Sequence, residues 1–394
     1  MKLLFLTTDD STFWSHRLTL ARVAKEAGAE VVIMTRPGEY CSRLESQGFR
    51  VIAWNISRKS INPLRELPSF LQVLRTYYSE RPDLVHHIAL KPIFYGSLVA
   101  RLCGSISVVN TVTGFGPLFT RTNLVSRILQ NTLIQILGFC FRGRSGRVIV
   151  QNDDDRDLLL QKKVVTPDNI VLIPGFGVNT EQFVPCPEPE GEFLVILPGR
   201  MLWEKGVREF VEAAGELRKR GYSPRMALVG ARDPDNMGCI PERKLKEWVN
   251  TGNVEWWGHQ ADMPSVIGKS HLVCLPSYRE GLPKVLIEAG SCARAIVTTN
   301  APGCSYAVKD GENGLLVSIR DSQALADAVQ KLMDDGALRR QMGANGRERI
   351  ENEFSVERIT GQTLDVYGAL LNGKWRFNRT LAIECQKYRP EGDI

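Results

Sequence analysis

Strand-like apolar runs alternate with amphipathic helical stretches along almost the whole chain, and this alternation restricts the fold more than any other feature. Residues 3–8, 31–35, 51–54, 84–88, 108–111 and 148–151 read as short buried strands, with helical patterns between them, for example 16–27 and 68–80. Parallel strands can be joined only by crossovers, so strand–helix alternation implies a parallel sheet with helices on both faces. The pattern breaks at Pro174-Gly175-Phe176-Gly177-Val178 and at the proline-rich stretch 185–191. It resumes with runs at 194–198, 226–229, 254–257, 272–275, 295–298 and 314–317. The expected class is α/β: two doubly wound Rossmann-like domains, 1–180 and 181–354, joined by a Pro/Gly linker. Residues 355–394 are expected to form a last helix, packing back on the first domain, and a peripheral tail. A length of 394 residues suits two cores better than one.

Hydrophobic residues at 43% and charged residues at 24% are ordinary for a globular protein. No apolar run reaches the roughly 18 residues that span a bilayer, and Met1–Leu6 is too short for a signal peptide. Nine cysteines without a Cys-x-x-Cys spacing read as reduced thiols of a cytoplasmic protein. The net charge of +6 is unevenly spread. Residues 84–152 hold no acid but contain Lys91, Arg101, Arg121, Arg127, Arg142, Arg144 and Arg147, a local +7.

Ligands of open α/β sheets bind outside the carboxyl ends of the strands, so the cleft between two facing sheets is the expected site. The strand at 272–275 runs into Ser277-Tyr278-Arg279-Glu280-Gly281-Leu282-Pro283-Lys284 and then a helix bearing Glu288. Free amides at that helix start favour an anion, and carboxylates on either side can grip sugar hydroxyls. Gly281 suits a close backbone approach to a ligand. After the strand at 194–198, Arg200 and Lys205 leave a turn toward the same cleft and can hold phosphate oxygens. Taken alone, such a pair is more often solvated surface charge, and Glu288 also suits the helix dipole. The combination favours a sugar-nucleotide site.

Arg200 and Lys205, Glu280 and Glu288, the linker Gly175-Phe176-Gly177-Val178-Asn179 and Pro302-Gly303 together resemble glycosyltransferase family 4, whose members are retaining enzymes of the GT-B fold. The resemblance implies that Arg200 and Lys205 hold the donor diphosphate, Glu288 the ribose and Glu280 the transferred sugar. Backbone at Gly281, Leu282, Pro283 and Lys284 would line the phosphates, and the strand end at Gly258 would lie near the base. The first domain is similar to the bacterial surface-polysaccharide branch through Ser15-His16-Arg17-Leu18, Asp83-Leu84-Val85-His86-His87, Lys91-Pro92 and Gly114-Phe115-Gly116. A strand-end histidine near the reacting carbon is then expected. Side chains alternate along a strand, so at most one of His86 and His87 enters the cleft, His86 being favoured. His16, Arg17, His87, Lys91, Gly114 and Gly116 are candidate acceptor residues, although His16 also suits a polar helix start. His259 and His271 read as structural. Ala293 stands where the family usually has glycine, and 7–12 lacks the paired glycines of many relatives.

Asp153-Asp154-Asp155 and Asp233-Pro234-Asp235 imitate an Asp-x-Asp metal motif, but the first reads as a helix start and the second as a turn. No metal or other cofactor is expected. An apolar helix through Leu124, Val125, Ile128, Leu129, Leu133, Ile136, Leu137 and Phe139, flanked by the arginines of 121–147, suits an anionic bilayer interface; a core helix with solvated arginines is the plainer alternative. No nucleic-acid motif accompanies the charge. The expected activity is transfer of a hexose or N-acetylhexosamine from a nucleotide sugar, UDP-linked by preference, to a polyprenyl-diphosphate-linked glycan of surface-polysaccharide or O-antigen assembly. The enzyme would sit peripherally on the inner face of the cell membrane. Two rivals remain, a sugar-nucleotide epimerase and a non-catalytic membrane-associated subunit.

Overall fold

The computed structural model describes residues 1–57, 62–104, 106–120, 123–142 and 146–383, so Arg121 and Arg144 of the basic stretch lie outside the described residues. It divides into two compact units, Met1–Phe176 with the segment beginning at Val356, and Gly177–Ser355.

The first unit is a seven-stranded parallel sheet of β1 (Lys2–Leu6), β2 (Glu30–Thr35), β3 (Arg50–Ala53), β4 (Leu84–Ile88), β5 (Ser107–Val112), β6 (Gly146–Val150) and β7 (Ile170–Leu172). The order β3-β2-β1-β4-β5-β6-β7 reverses between β1 and β4. Register there pairs Phe5 with His86 and Leu6 with His87. The three-residue β7 was not anticipated; a run that short carries little periodicity. The first helix, Asp10–Glu26, begins six residues before the expected 16–27. Its buried stripe Phe13, Trp14, Arg17, Leu18, Ala21 and Ala24 follows the helical repeat. Asp10 is buried at its start and accepts from the Tyr40 amide at 2.9 Å.

One face of this sheet packs on the Asp10–Glu26 helix and the returning Val356–Leu370 helix, which share a core through Phe13, Leu18, Ile359, Leu364 and Tyr367. The other face carries Pro63–Glu80, Leu90–Cys103 and Leu124–Phe141. Contrary to the reading of the bare sequence, Leu124–Phe141 is one 18-residue helix long and apolar enough, by length and composition, to cross a membrane. Only a third of it is buried, through residues such as Ile134 and Leu137. Leu124, Val125, Ile128, Leu129, Ile136 and Phe139 are exposed.

The second unit is a six-stranded parallel sheet of β8 (Leu194–Pro198), β9 (Arg225–Val229), β10 (Glu255–Gly258), β11 (Leu272–Leu275), β12 (Ala295–Thr299) and β13 (Gly314–Val317), in the order β10-β9-β8-β11-β12-β13. Its reversal lies between β8 and β11, the two strands that feed Arg200 and Glu280 into their loops. Helices on both faces leave β8 and β11 wholly buried, hence their unbroken apolar runs.

Candidate active site

In the second unit the loop after β11 and the turn after β8 are laced together. The Ser277 hydroxyl and the Tyr278 amide both donate to the Glu204 carbonyl, at 3.0 and 2.9 Å. Gly206 follows Lys205 in a left-handed conformation (φ 72°), and a Cβ there would sit 2.0 Å from the Pro276 carbonyl oxygen. Only glycine permits that approach. The lacing brings the Lys205 ammonium to 2.5 Å from Glu280 Oε1, which also accepts from Ser277 Oγ at 2.5 Å. The Glu280 amide donates to the Pro302 carbonyl at 3.0 Å, and Gly303 lies so close that a Cβ would fall 2.6 Å from the Glu280 carbonyl oxygen. Glu280 is thus held by both its backbone and its side chain. Burial pushes the neighbouring Cys304 thiol up to about 12, with the Glu280 charge adding to the effect.

The helix Lys284–Ser291 starts after Pro283, whose backbone is extended and provides no side-chain cap. Glu288, one turn in, is buried and paired with Lys284 at 3.0 Å. Arg200 is half exposed and contacts Asp233 at 2.6 Å. The strands β8, β9 and β10 are each followed or ended by a glycine, namely Gly199, Gly230 and Gly258. Gly230 donates to the Gly258 carbonyl at 2.7 Å and lies against the Gly199 carbonyl, where a Cβ would come within 2.0 Å. Gly258 (φ 67°) has open space where a side chain would stand. Three adjoining strand ends therefore form a ledge of bare backbone.

In the first unit the structure corrects one expectation. Neither histidine of β4 reaches the surface of the unit; both are fully buried. His86 is hydrogen-bonded through Nδ1 to the Tyr367 hydroxyl and through Nε2 to Thr111 Oγ1, each at 2.6 Å. His87 donates from Nδ1 to Asn110 Oδ1 at 2.7 Å, leaving Nε2 to accept from Tyr77 at 2.8 Å. Burial holds His86 well below the usual histidine range and His87 down to about 4. The physical reason is that β4 is an inner strand with helices over both faces, so alternation sends one ring into each covered layer. His16 is partly exposed, bonded to Ser15 Oγ at 2.6 Å, with its ring edge-on to Phe176 at 3.9 Å. Arg17 is buried beside Phe176. Lys91 reaches the Ser57 carbonyl at 2.6 Å and Glu66 at 3.3 Å, away from the histidines' partners. Gly114 (φ 108°) and Gly116 (φ 68°) shape the loop after β5. His271, buried, accepts from the Leu194 amide at 3.0 Å and stacks on Phe193, a structural post.

Residues 178–349 match the family model for glycosyl transferases group 1, and residues 2–152 match that for glycosyl transferase 4-like domains, one in each unit. The chain belongs to the glycosyltransferases. Among the relatives of this glycosyltransferase is the N,N'-diacetylbacillosaminyl-diphospho-undecaprenol alpha-1,3-N-acetylgalactosaminyltransferase of Campylobacter jejuni, 27% identical over 88% of this chain and 93% of the relative. Another is the UDP-Gal:alpha-D-GlcNAc-diphosphoundecaprenol alpha-1,3-galactosyltransferase of Escherichia coli, 25% identical over 78% of this chain and 81% of the relative. The GT-B fold is shared with sucrose-phosphate synthase of Thermosynechococcus elongatus (TM-score 0.79, 21% identity, 95% of this chain and 100% of that one). HepE of Anabaena in complex with UDP and glucose is similar as well (TM-score 0.75, 18% identity, 94% and 100%).

Two features of this glycosyltransferase escaped the reading of its sequence. Asp233, set aside as an imitation metal motif, is the carboxylate beside Arg200. Gly230 completes the glycine ledge, and its only signal was a glycine directly after a strand. In the other imitation motif the cap is Asn152, which accepts from the Asp155 amide at 2.8 Å, with Asp153–Asp155 forming the first helical turn.

Proposed function

We propose that the enzyme transfers a hexose or N-acetylhexosamine from a UDP-sugar to a polyprenyl-diphosphate-linked glycan of surface-polysaccharide assembly, with retention at the anomeric carbon. The observation that carries this reading is the Lys205–Ser277–Glu280 constellation, a cation and a carboxylate locked side by side on two laced loops. The names of the two undecaprenol-dependent relatives support the acceptor class.

Arg200 and Lys205 would take the donor diphosphate with the first-turn amides at Lys284, and Gly281–Pro283 would line it with backbone. Glu288 would bind the ribose, Glu280 the transferred sugar, and the ledge at Gly258 the base. As the bond to the leaving diphosphate lengthens, charge grows on its oxygens, where fixed cations lower the barrier most. That charge can also take the acceptor hydroxyl's proton on the same face. The two cations supply the positive field that a metal supplies in other transferases, so turnover is expected to persist in EDTA. His86 enters as a positioning residue, through Tyr367 and Thr111, with no ring nitrogen left for the substrate. His16, Arg17, Gly114 and Gly116 belong to the acceptor side. The apolar, basic Leu124–Phe141 helix would rest on the cytoplasmic leaflet, where such acceptors are held.

The test is a transfer assay with a panel of nucleotide sugars and a polyprenyl-diphosphate-linked acceptor in the presence of EDTA. Acceptor-dependent release of UDP with an α-linked product is the expected result. Interconversion of the free donor without an acceptor would replace this reading by the epimerase, and absence of turnover with every donor would replace it by the silent subunit.

A further inference from the structure

Among the described residues three arginines are buried, and one differs from the others. In the second unit Arg294 donates to the carbonyls of Ser270, Cys186, Pro187 and Gly268, and Arg339 forms a two-pronged pair with Glu188 at 2.8 Å. These are the usual terms on which a guanidinium leaves water. Arg17, in the first unit, is 4% exposed and has neither. Among the described residues none of its guanidinium nitrogens makes a hydrogen bond or an ion pair, and Nη2 is sealed from solvent without a partner. Its surroundings are the Phe176 ring, 5.9 Å from the guanidinium carbon, and the Tyr367 and His86 side chains. Burial lowers it only to about 10, so it is cationic at neutral pH. The neutral His86 beside it adds no counter-charge.

A buried cation without a carboxylate is costly to the fold. Arg17 lies on the helix that directly follows β1, over the β1–β4 reversal of strand order where open α/β sheets take their ligands. We propose that Arg17 is an unfilled anion site whose counter-ion is supplied by substrate, the diphosphate oxygens of the lipid-linked acceptor. The assignment to the acceptor rests on the proposed function; the anion site itself does not. A planar fork with several free donors matches phosphate oxygens. Filling it compensates the charge only in the complex, which converts strain of the free protein into affinity for the bound state.

The experiment compares wild type with Arg17→Met and Arg17→Lys. For the ligand-free protein, the melting temperature of Arg17→Met should equal or exceed that of wild type, because an uncompensated charge is replaced by an apolar chain. A drop of more than a few degrees would make Arg17 an ordinary structural brace and overturn the proposal. With UDP saturating the donor site, inorganic pyrophosphate should bind wild type and lose at least tenfold in affinity in Arg17→Met, as read by calorimetry, with Arg17→Lys between. Unchanged pyrophosphate affinity would also overturn it. In the transfer assay, KM for the lipid-linked acceptor should rise about tenfold while KM for the donor stays within about twofold, the scale of one lost charged hydrogen bond. A rise in donor KM instead would overturn the assignment to the acceptor. Failure of UDP to bind wild type at all would sink the donor reading and leave the pyrophosphate comparison standing.

Discussion

Lys205 and Glu280, 75 residues apart in sequence, meet at 2.5 Å with Ser277 on the same carboxylate oxygen. Each group fixes the other, so the substrate would meet them already in position. Lys205→Ala and Glu280→Gln should each reduce transfer by two or more orders of magnitude, as lost transition-state contacts in a dry site do. Far-UV circular dichroism should be unchanged. Near-normal turnover in either variant would remove that residue from the chemistry.

Gly206 is the pivot of the same lacing. Gly206→Ala forces a side chain into left-handed backbone, at about 1–2 kcal/mol, and into the Pro276 carbonyl as well. Denaturant unfolding should register a loss of that size or more, together with weaker UDP binding as the Lys205 turn moves. A variant as stable as wild type would show that the two loops can slide apart freely.

Ala293 ends the helix that carries Glu288 and has φ 54°, with the Arg294 amide donating to the Ala289 carbonyl at 2.9 Å. This is a helix stop at which glycine avoids the strain. Ala293→Gly should stabilise the protein by about 0.5–1 kcal/mol, relief of strain outweighing the added freedom of the unfolded chain. Thermal denaturation would check it, and a lower melting point would contradict the strain.

His87 binds its proton with a pKa of about 4 in the fold against an ordinary 6.5, because burial disfavours the charged ring. The unfolded chain therefore takes up protons first. The stability His87 contributes is complete above about pH 6.5 and is lost as pH falls toward 4, up to roughly 3 kcal/mol. His86 acts in the same direction. His87→Gln should flatten the decline of unfolding free energy between those pH values, and equal slopes in variant and wild type would refute the assignment.

The exposed apolar side chains of Leu124–Phe141 give the membrane reading its test. Ile128→Glu combined with Leu129→Glu should abolish co-sedimentation with anionic phospholipid vesicles while leaving UDP binding intact. Retained vesicle binding would move the docking surface elsewhere.

Much of this was legible in the sequence, and for stated reasons. Strands such as Leu194–Pro198 and Leu272–Leu275 were readable because a parallel strand covered on both sides is an uninterrupted apolar run. The same covering hid the burial of His86 and His87, since alternation assigns faces without saying that both are closed. Glu280 was readable from its place between a strand and a helix start. Its hold on Lys205, like that of Asp233 on Arg200, depends on which strands are neighbours, and strand order is not written in local pattern. Arg17 was named as a candidate, but its want of a partner could be seen only once every neighbour had been placed.

The Tyr367–His86 hydrogen bond spans 281 residues and closes the core of the first unit with the Val356–Leu370 helix. A ribosome must therefore deliver the chain through Tyr367 before that core can be completed. The second unit, continuous from Gly177 to Ser355, is available in full earlier. The carboxyl-terminal unit is therefore complete in chain order before the amino-terminal one, the reverse of the usual amino-to-carboxyl sequence. Until the Val356–Leu370 helix emerges, its place against the Asp10–Glu26 helix is open to chaperones, and a truncation before Val356 would leave the amino-terminal half, not the carboxyl-terminal one, as the casualty.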